Sequence, residues 1–499
     1  MNYLLLAGAL LALPGAARGQ TLQNGSFETP QPGNRQLPAG WAITTVPGYA
    51  IGLDSTVAHG GRRALHLASA TDAPQGFQPF RQSVAVQVAR PTMLRLQATV
   101  KTEEASNVAL LCQYWDDKQM VGSTNSLVQG APPAGSGEWR TLDLTLLVQP
   151  TMRRIVVGGF YMGQGQAWFE DVQLSAANAY PETAPSAAVR AYIAQVVRLA
   201  STHSLVRDAI DWPAAQRDML AMAHGMQATA ESYPVFTYLL SLLRQHGDQH
   251  SQFRTPTAVR ADRAPATSAI AKASPAPTAR YLGDGLAYVS VPGFSPLEAE
   301  RQVAFASQLQ SLIRQLDTEH PITGWVVDLR GNGGGNMYPM LAGLGPLTGP
   351  GELGYFVTGH REEPFGYRAG EAYARKPGRG VRVPQPYTLR QPASPVAVLI
   401  GPRTASSGEI TAQAFMGRPA TRVFGQPSAG LTTANRLFSL PDGAELNLAT
   451  SAEADRTHRQ HIGPLVPDEA VPTSPPASPD ATLQAASAWL CQQVPAGKQ

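Results

Sequence analysis

Between residues 20 and 178 apolar positions alternate with polar ones in short runs. Leu94, Leu96, Ala98 and Val100 share one parity, as do Leu142, Leu144 and Leu146, and then Ile155 and Val157. Period-two alternation broken by Gly, Pro and Asp turns predicts an all-β sandwich or barrel. Near residue 187 the period changes. SLVRDAIDW (204–212), PAAQRDMLAMAHGM (213–226) and FTYLLSLLRQHG (236–247) space their apolar residues as amphipathic helices do. From Tyr281 strands and helices take turns and predict an α/β core. AYVSV (287–291) is followed by a long helix near 296–317 and by strands at 324–329, 396–400 and 421–424. Further strands lie around 436–449, flanking the turn Pro441-Asp442-Gly443.

The pattern divides the chain into six parts: 1–19, 20–178, 187–254, 255–279, 280–475 and 476–499. The opening MNYLLLAGALLALPGAARGQ has a short apolar core and small residues before Gln20, the pattern of a secretory signal. It is too short to span a bilayer, and its only positive charge is the initiating amine. NAYPETAPSAAV (178–189) is a Pro/Ala-rich linker, and 255–279, of low complexity, reads as a flexible linker. The tail begins SPPASPDA and closes on a short helix, LQAASAWLCQQV. With 499 residues, 43% apolar and 15% charged, the chain holds two or three domains with ordinary cores. A net charge of +3 is too small to imply a nucleic acid or a membrane surface as partner. The two cysteines fall in different parts. Cys112, inside VALLCQYW, reads as a buried core thiol, and no Cys/His metal cluster is present in the sequence.

Two segments carry candidate chemistry. In VAVLIGPRTASSGEITAQAF (396–415) a strand runs through Gly-Pro and a small polar turn into a helix. Such a turn presents a serine hydroxyl beside backbone N–H groups that have no partners in the helix, a suitable place for a nucleophile and an oxyanion. Ser406 or Ser407 acting only as an N-cap is the structural alternative. In TGWVVDLRGNGGGNMYPMLAGL (323–344) a buried strand leads into three glycines ahead of a helix. A phosphate loop would need Gly-Lys-Ser/Thr there, but Gly335 is followed by Asn336. Gly333 or Gly334 therefore reads as an oxyanion donor, and a turn-only role stays open.

The order DLRGNGGG, TASSGE, FGQPSAGLTTAN (424–435) resembles the tail-specific, C-terminal-processing serine peptidases and the related tricorn core, over roughly 186–475. The resemblance implies a crotonase-like ββα core behind a helical lead-in. It also implies Ser406 as nucleophile, Glu409 as the acid of the S-x-x-E motif, and the Ser407 N–H in the oxyanion hole with Gly333 or Gly334. Members of the lysine-dependent branch carry their base after the second glycine loop, where this chain has Leu431. Asp248, His250 and Ser251 resemble instead the D-x-H-S/T segment of the histidine-dependent branch, which makes His250 the expected base. For the acid that orients it, Asp455 is preferred over Glu453 and Asp248, with surface pairing to Arg456 or Arg459 as the alternative role. His458 and His461 read as incidental. The stretch 255–279 is too short for the PDZ domain that lysine-branch members insert there.

NGSFE (24–28), HGGRRALHL (59–67) and WFEDVQLS (168–175) resemble jelly-roll carbohydrate-binding modules. That resemblance implies a structural calcium held by Glu28 and Asp171, and a possible carbohydrate partner. Trp41, Trp115, Trp139 and Trp168 suit either sugar stacking or a core. The reading as a whole is an exported serine-type endopeptidase with a protein or peptide substrate and no cofactor for catalysis. The rival is a non-catalytic sugar- or peptide-binding protein built on a peptidase shell.

Overall fold

The computed structural model of the chain describes residues 22–71, 76–88, 92–105, 107–129, 135–176, 183–263, 276–296, 298–378, 380–472 and 479–493. The expected signal segment, the start of the 178–189 linker, residues 264–275 and both ends of the tail lie outside them; the start of the expected flexible linker 255–279 is instead a helix, Pro256–Arg263, whose backbone pairs i to i−4. The chain forms two compact units, Met1–Ala264 with Leu437–Asn447, and Pro265–Arg436 with Leu448–Gln499.

In the first unit two five-stranded antiparallel sheets form from the alternating segments. One runs Gly135–Val148, Thr92–Ala105, Gln166–Ala176, Ala64–Ser69, Tyr49–Asp54. The other runs Ala42–Ile43, Gln78–Ala85, Arg154–Met162, Asn107–Trp115, Met120–Asn125. Leu96, Ala98, Val100, Leu144, Leu146, Ile155 and Val157 all enter one core, where Phe27, Trp41, Phe80 and Phe169 pack edge to face or tilted. Cys112 is in that core too, and both cysteines are free thiols.

Helices α1 (Ala187–His203), α2 (Trp212–Met222) and α3 (Phe236–Gln245) belong to this same unit. Gln149 Nε2, at the end of a sheet strand, donates to the buried Ser241 Oγ of α3 at 2.9 Å. The turn at 441–443 joins them because Asp442 accepts from the Tyr192 and Tyr233 hydroxyls at 2.9 and 2.6 Å. The segment expected to lead into the peptidase core thus packs with the sheets that precede it.

The second unit is built on a six-stranded sheet in the order Thr278–Gly283, Leu286–Ser290, Gly324–Asp328, Val396–Ile400, Thr421–Gly425, Glu469–Ala470. All its neighbours are parallel except the first pair. Helices α4 (Ala299–Glu319) and α5 (Met337–Thr348) bury Phe305, Leu309, Ile313, Met340 and Leu344 in the core with Trp325 and Val398. Antiparallel strands Gly351–Thr358, Arg361–Arg368 and Glu371–Ala374, which the sequence reading did not anticipate, extend the pairing of Glu445–Asp455. Helix α6 (Ser407–Gln413) follows the fourth strand of the main sheet, and α7 (Ala481–Gln493) closes the described chain. Ala486 and Leu490 of α7 pack on Val326, Leu399 and Phe424. Asp480, just ahead of α7, binds the Arg330 guanidinium through both oxygens at 2.9 and 2.7 Å, and Asp328 grips the same guanidinium from the other side.

Candidate active site

Strands Gly324–Asp328 and Val396–Ile400 lie side by side and parallel, with Asp328 opposite Leu399. Their carboxyl ends therefore deliver the glycine turn and the serine turn to one place, the usual location of a site in a parallel sheet. Asn332, fully buried, ties the two turns together. Its carbonyl accepts from Ala405 N–H at 3.0 Å, and its side-chain oxygen accepts from Gly334 N–H at 3.0 Å. Thr404 adds a second tie, its hydroxyl donating to the Leu329 carbonyl at 2.9 Å.

The backbone at Ser406 has φ 52° and ψ −121°, a conformation that costs a non-glycine residue free energy and is held by its surroundings. Ser406 occupies the N-cap position of α6, yet its side chain makes no cap hydrogen bond, so the capping role is not what holds the serine there. Its N–H donates instead to Glu409 Oε2 at 2.8 Å. Gly334 lies against this turn: a Cβ there would sit 2.8 Å from the Ala405 carbonyl oxygen and 3.0 Å from Ser406 Cβ, at a φ of +100°. The Ser407 hydroxyl donates to the Gly335 carbonyl at 2.6 Å.

Of the expected oxyanion donors, Gly334 has its N–H engaged, donating to Asn332 Oδ1 at 3.0 Å. Among the described residues the N–H groups of Ser407 and Gly333 donate to no protein acceptor. Gly334 is needed for close approach.

Glu409 is fully buried and collects four donors. These are the N–H groups of Ser406, Gly430 and Leu431, each at 2.8 Å, and the Ser428 hydroxyl. Burial pushes its carboxyl up from the ordinary range, and these hydrogen bonds hold part of that rise back. The acid of the S-x-x-E motif thus fastens the serine turn to the FGQPSAGLTTAN loop, and Leu431 contributes its backbone, not its side chain. Ser428 and Asn332 were quoted within motifs but not singled out; a hydroxyl and an amide beside glycine turns were the signal available.

His250 follows α3, beyond the C-cap His246 and Gly247, whose φ is +99°. The histidine is 9% exposed, and the buried Asp248 shapes its loop by accepting from the N–H groups of His250 and Ser251 at 3.0 and 2.9 Å. His250 lies in the first compact unit and Ser406 in the second. Asp455 is engaged elsewhere than expected. Its Oδ1 accepts from Thr457 N–H and Oγ1 at 2.8 and 2.6 Å, and its Oδ2 is 2.9 Å from His461 Nε2. Burial opposes ionisation of Asp455, but the Thr457 and His461 bonds outweigh it and hold the carboxyl below its usual range. His461 is therefore a paired histidine, in the same unit as Ser406. Glu453, wholly buried and bonded by Gln413 at 2.9 Å, is pushed well up by burial and then by the charge of Glu409.

In the first unit, Glu28 and Asp171 meet the same loop. A Cβ on Gly61 would collide with Glu28 Oε1, and one on Gly60 would lie 3.8 Å from Asp171 Oδ2. Glu28 Oε2 is buried without a hydrogen-bond partner, and its ion-pair partner is Arg62, with Nε 3.7 Å away. Asp171 also stands with His59 and Glu170, their potential ligand atoms all within 4.8 Å of one another. Glu170 was not anticipated; it accepts from His59 and Gly60 N–H at 2.6 and 2.9 Å. Hard carboxylate oxygens suit calcium. Of the four tryptophans, Trp41 and Trp168 are buried, and Trp168 donates to Asp54 at 2.8 Å.

Residues 285–471 match the model of peptidase family S41. The nisin-resistance protein of Lactococcus lactis subsp. lactis is 30% identical over 219 residues, which is 44% of this chain and 64% of that protein. The chain thus spans less than two thirds of that relative's length. A lipoprotein from Streptococcus agalactiae aligns at 24% identity over 62% of this chain and 98% of its own, with a TM-score of 0.49. The photosystem II D1 C-terminal processing protease aligns at 14% identity over 57% and 94%, with a TM-score of 0.41.

Proposed function

We propose, from the match of residues 285–471 to the model of peptidase family S41, that the chain is an exported serine endopeptidase acting on a protein or peptide. The observation that carries this reading is the pair of backbone N–H groups, of Ser407 and Gly333, with no acceptor among the described residues, beside a serine in a costly backbone conformation. In the proposed reaction Ser406 Oγ attacks the scissile carbonyl as His250 takes its proton. The two N–H groups receive the oxyanion, and the protonated histidine then gives its proton to the leaving amine. Water repeats the sequence on the acyl-enzyme. Asp455 is the proposed orienting acid. Its bond to His461 supports a second reading in which His461 and Asp455 supply the base, since both belong to the unit that holds Ser406.

The opening signal-like segment supports export. We read the second unit as a crotonase-like core. The two-sheet region is read as a jelly-roll, carbohydrate-binding-like module in which Glu28 and Asp171 hold a structural calcium, their oxygens tying its first and last segments together.

A fluorophosphonate probe tests the central claim, since it labels an activated serine and ignores a cap. The full chain is expected to label, Ser406→Ala to abolish labelling and to lower kcat by about 10³-fold or more, and Ser407→Ala to retain it. Absence of labelling, or labelling that survives Ser406→Ala, would favour the non-catalytic binding protein instead.

A further inference from the structure

A cavity of about 430 Å³ opens within the first unit, between the sheet edge at 123–125 and the segment carrying α3. That volume falls in the range of small-ligand sites, about 300–1,000 Å³. Ser123, Thr124 and Asn125 supply one wall with hydroxyl and amide groups; Tyr233, Phe236 and Phe253 supply an aromatic one. Arg244 lines it as well, and it is the only charged residue that does so among the described residues. The guanidinium makes no hydrogen bond and no ion pair among them. Burial works against its charge, and Asp248 offsets that only from a distance. The oxygens of Asp248 are already committed to the N–H groups of residues 250 and 251 and to the Ser251 hydroxyl.

A half-buried guanidinium with five donors and no acceptor among the described residues presents those donors to an anion that enters the cavity. One positive charge balances one negative charge. A phosphate dianion would call for a second cation that the walls do not offer, whereas a carboxylate matches the planar fork of a single arginine. We propose that this cavity is a binding site for a small carboxylate-bearing ligand, its acid group on Arg244 and its body between the aromatic and hydroxyl walls. The acid belongs either to a uronic sugar or to the C-terminal residue of a peptide. Gln249 and Gln252, on either side of His250, also line the cavity, so a seated ligand rests against the segment that carries the proposed base.

Binding is measured by calorimetry on the full-length Ser406→Ala protein, so that no probe is consumed and the result stands apart from the hydrolase reading. The probes are galacturonate against galactose, and acetyl-Ala-Phe against its amide. At least one acid is expected to bind at least tenfold more tightly than its neutral counterpart, with Arg244→Gln erasing the difference. Preference for galacturonate alone identifies a sugar acid as the source, and preference for acetyl-Ala-Phe alone a peptide terminus. The proposal falls if none of the four binds, if acid and neutral forms bind equally, or if Arg244→Gln keeps the preference. Should Arg244→Gln not fold, Thr237→Trp fills the cavity from α3 and must abolish binding; retained binding overturns the site.

Discussion

Two glycine turns, one in each unit, handle their backbone donors in opposite ways. Around His59-Gly60-Gly61 four donors are sealed: Glu170 takes the N–H groups of His59 and Gly60, and Glu28 takes those of Arg62 and Arg63. Around Gly333–Gly335 the carboxylate of Glu409 seals Ser406, Gly430 and Leu431, yet Ser407 and Gly333 keep theirs open. Sealed donors make a turn rigid, while open donors beside a nucleophile can receive developing charge. Stability and chemistry therefore draw on the same group, and what separates them is whether an acceptor has been supplied.

The largest effect expected from breaking this contrast is on the proton acceptor that the open donors require. His250→Ala should lower activity by about 10³-fold and remove the rise in rate with pH that a histidine base produces. His461→Ala should leave that rise in place. The reverse pattern in a pH–rate profile would move the base to the His461–Asp455 pair.

Next comes the acid buried behind the serine turn. Glu453 has a folded pKa raised well above its ordinary value of 4.5, by burial first and the charge of Glu409 second. Between the unfolded and folded values the native state binds more protons, so this contribution to stability is intact below about pH 4.5 and is lost as pH rises. The loss has a slope of at most about 1.4 kcal/mol per pH unit. Glu453→Gln should therefore raise the melting temperature at pH 8 and leave it unchanged near pH 4. A variant that melts lower at pH 8 would show that the carboxyl is native in its charged form.

The sealed turn is tested by metal. If Glu28 and Asp171 hold calcium, a hundredfold excess over Kd adds about 2.7 kcal/mol, and the protein should melt several degrees higher in calcium than in chelator. Glu28→Gln and Asp171→Asn should each erase the difference; identical melting curves for the unmutated protein with and without chelator would dismiss the metal.

The smallest effect separates two adjacent glycines. Gly334→Ala should cost about 1–2 kcal/mol, since it strains a positive φ and presses on Ser406. Gly333→Ala meets nothing within 4 Å and should stay within about 0.5 kcal/mol of the parent in denaturant unfolding.

Much of this was legible in the sequence where a local rule governs. Alternation at 94–100 marked the inward residues of the first core because strand side chains change face every residue. The turns at 331–335 and 404–409 announced themselves through glycine and small polar residues. What was not legible depends on partners distant in sequence. The period of α3 revealed an apolar face but not that Gln149 would meet it. Asp455 is within reach of several groups in sequence, and only the pairing of Glu453 with His461 across two strands decided that His461 should be its neighbour. The strands of 351–374 escaped notice because Gly354 and Gly366 interrupt their alternation where neighbouring chains come close. The engagement of the Gly334 N–H was not legible because nothing in three consecutive glycines says which N–H an asparagine two residues earlier will claim.

Arg330 stands one peptide bond from Gly331, and its guanidinium is shared between Asp328 and Asp480. The last helix is therefore more than a cover over the sheet, because its leading residue grips the stem of the glycine turn. Proteolysis, or a truncation placed just before residue 480, would strip one of the two carboxylates from that arginine. The first place to feel the cut would be the turn that offers the Gly333 N–H, far along the chain from the missing residues. Fusions and tags at the C-terminal end are accordingly safe only beyond α7.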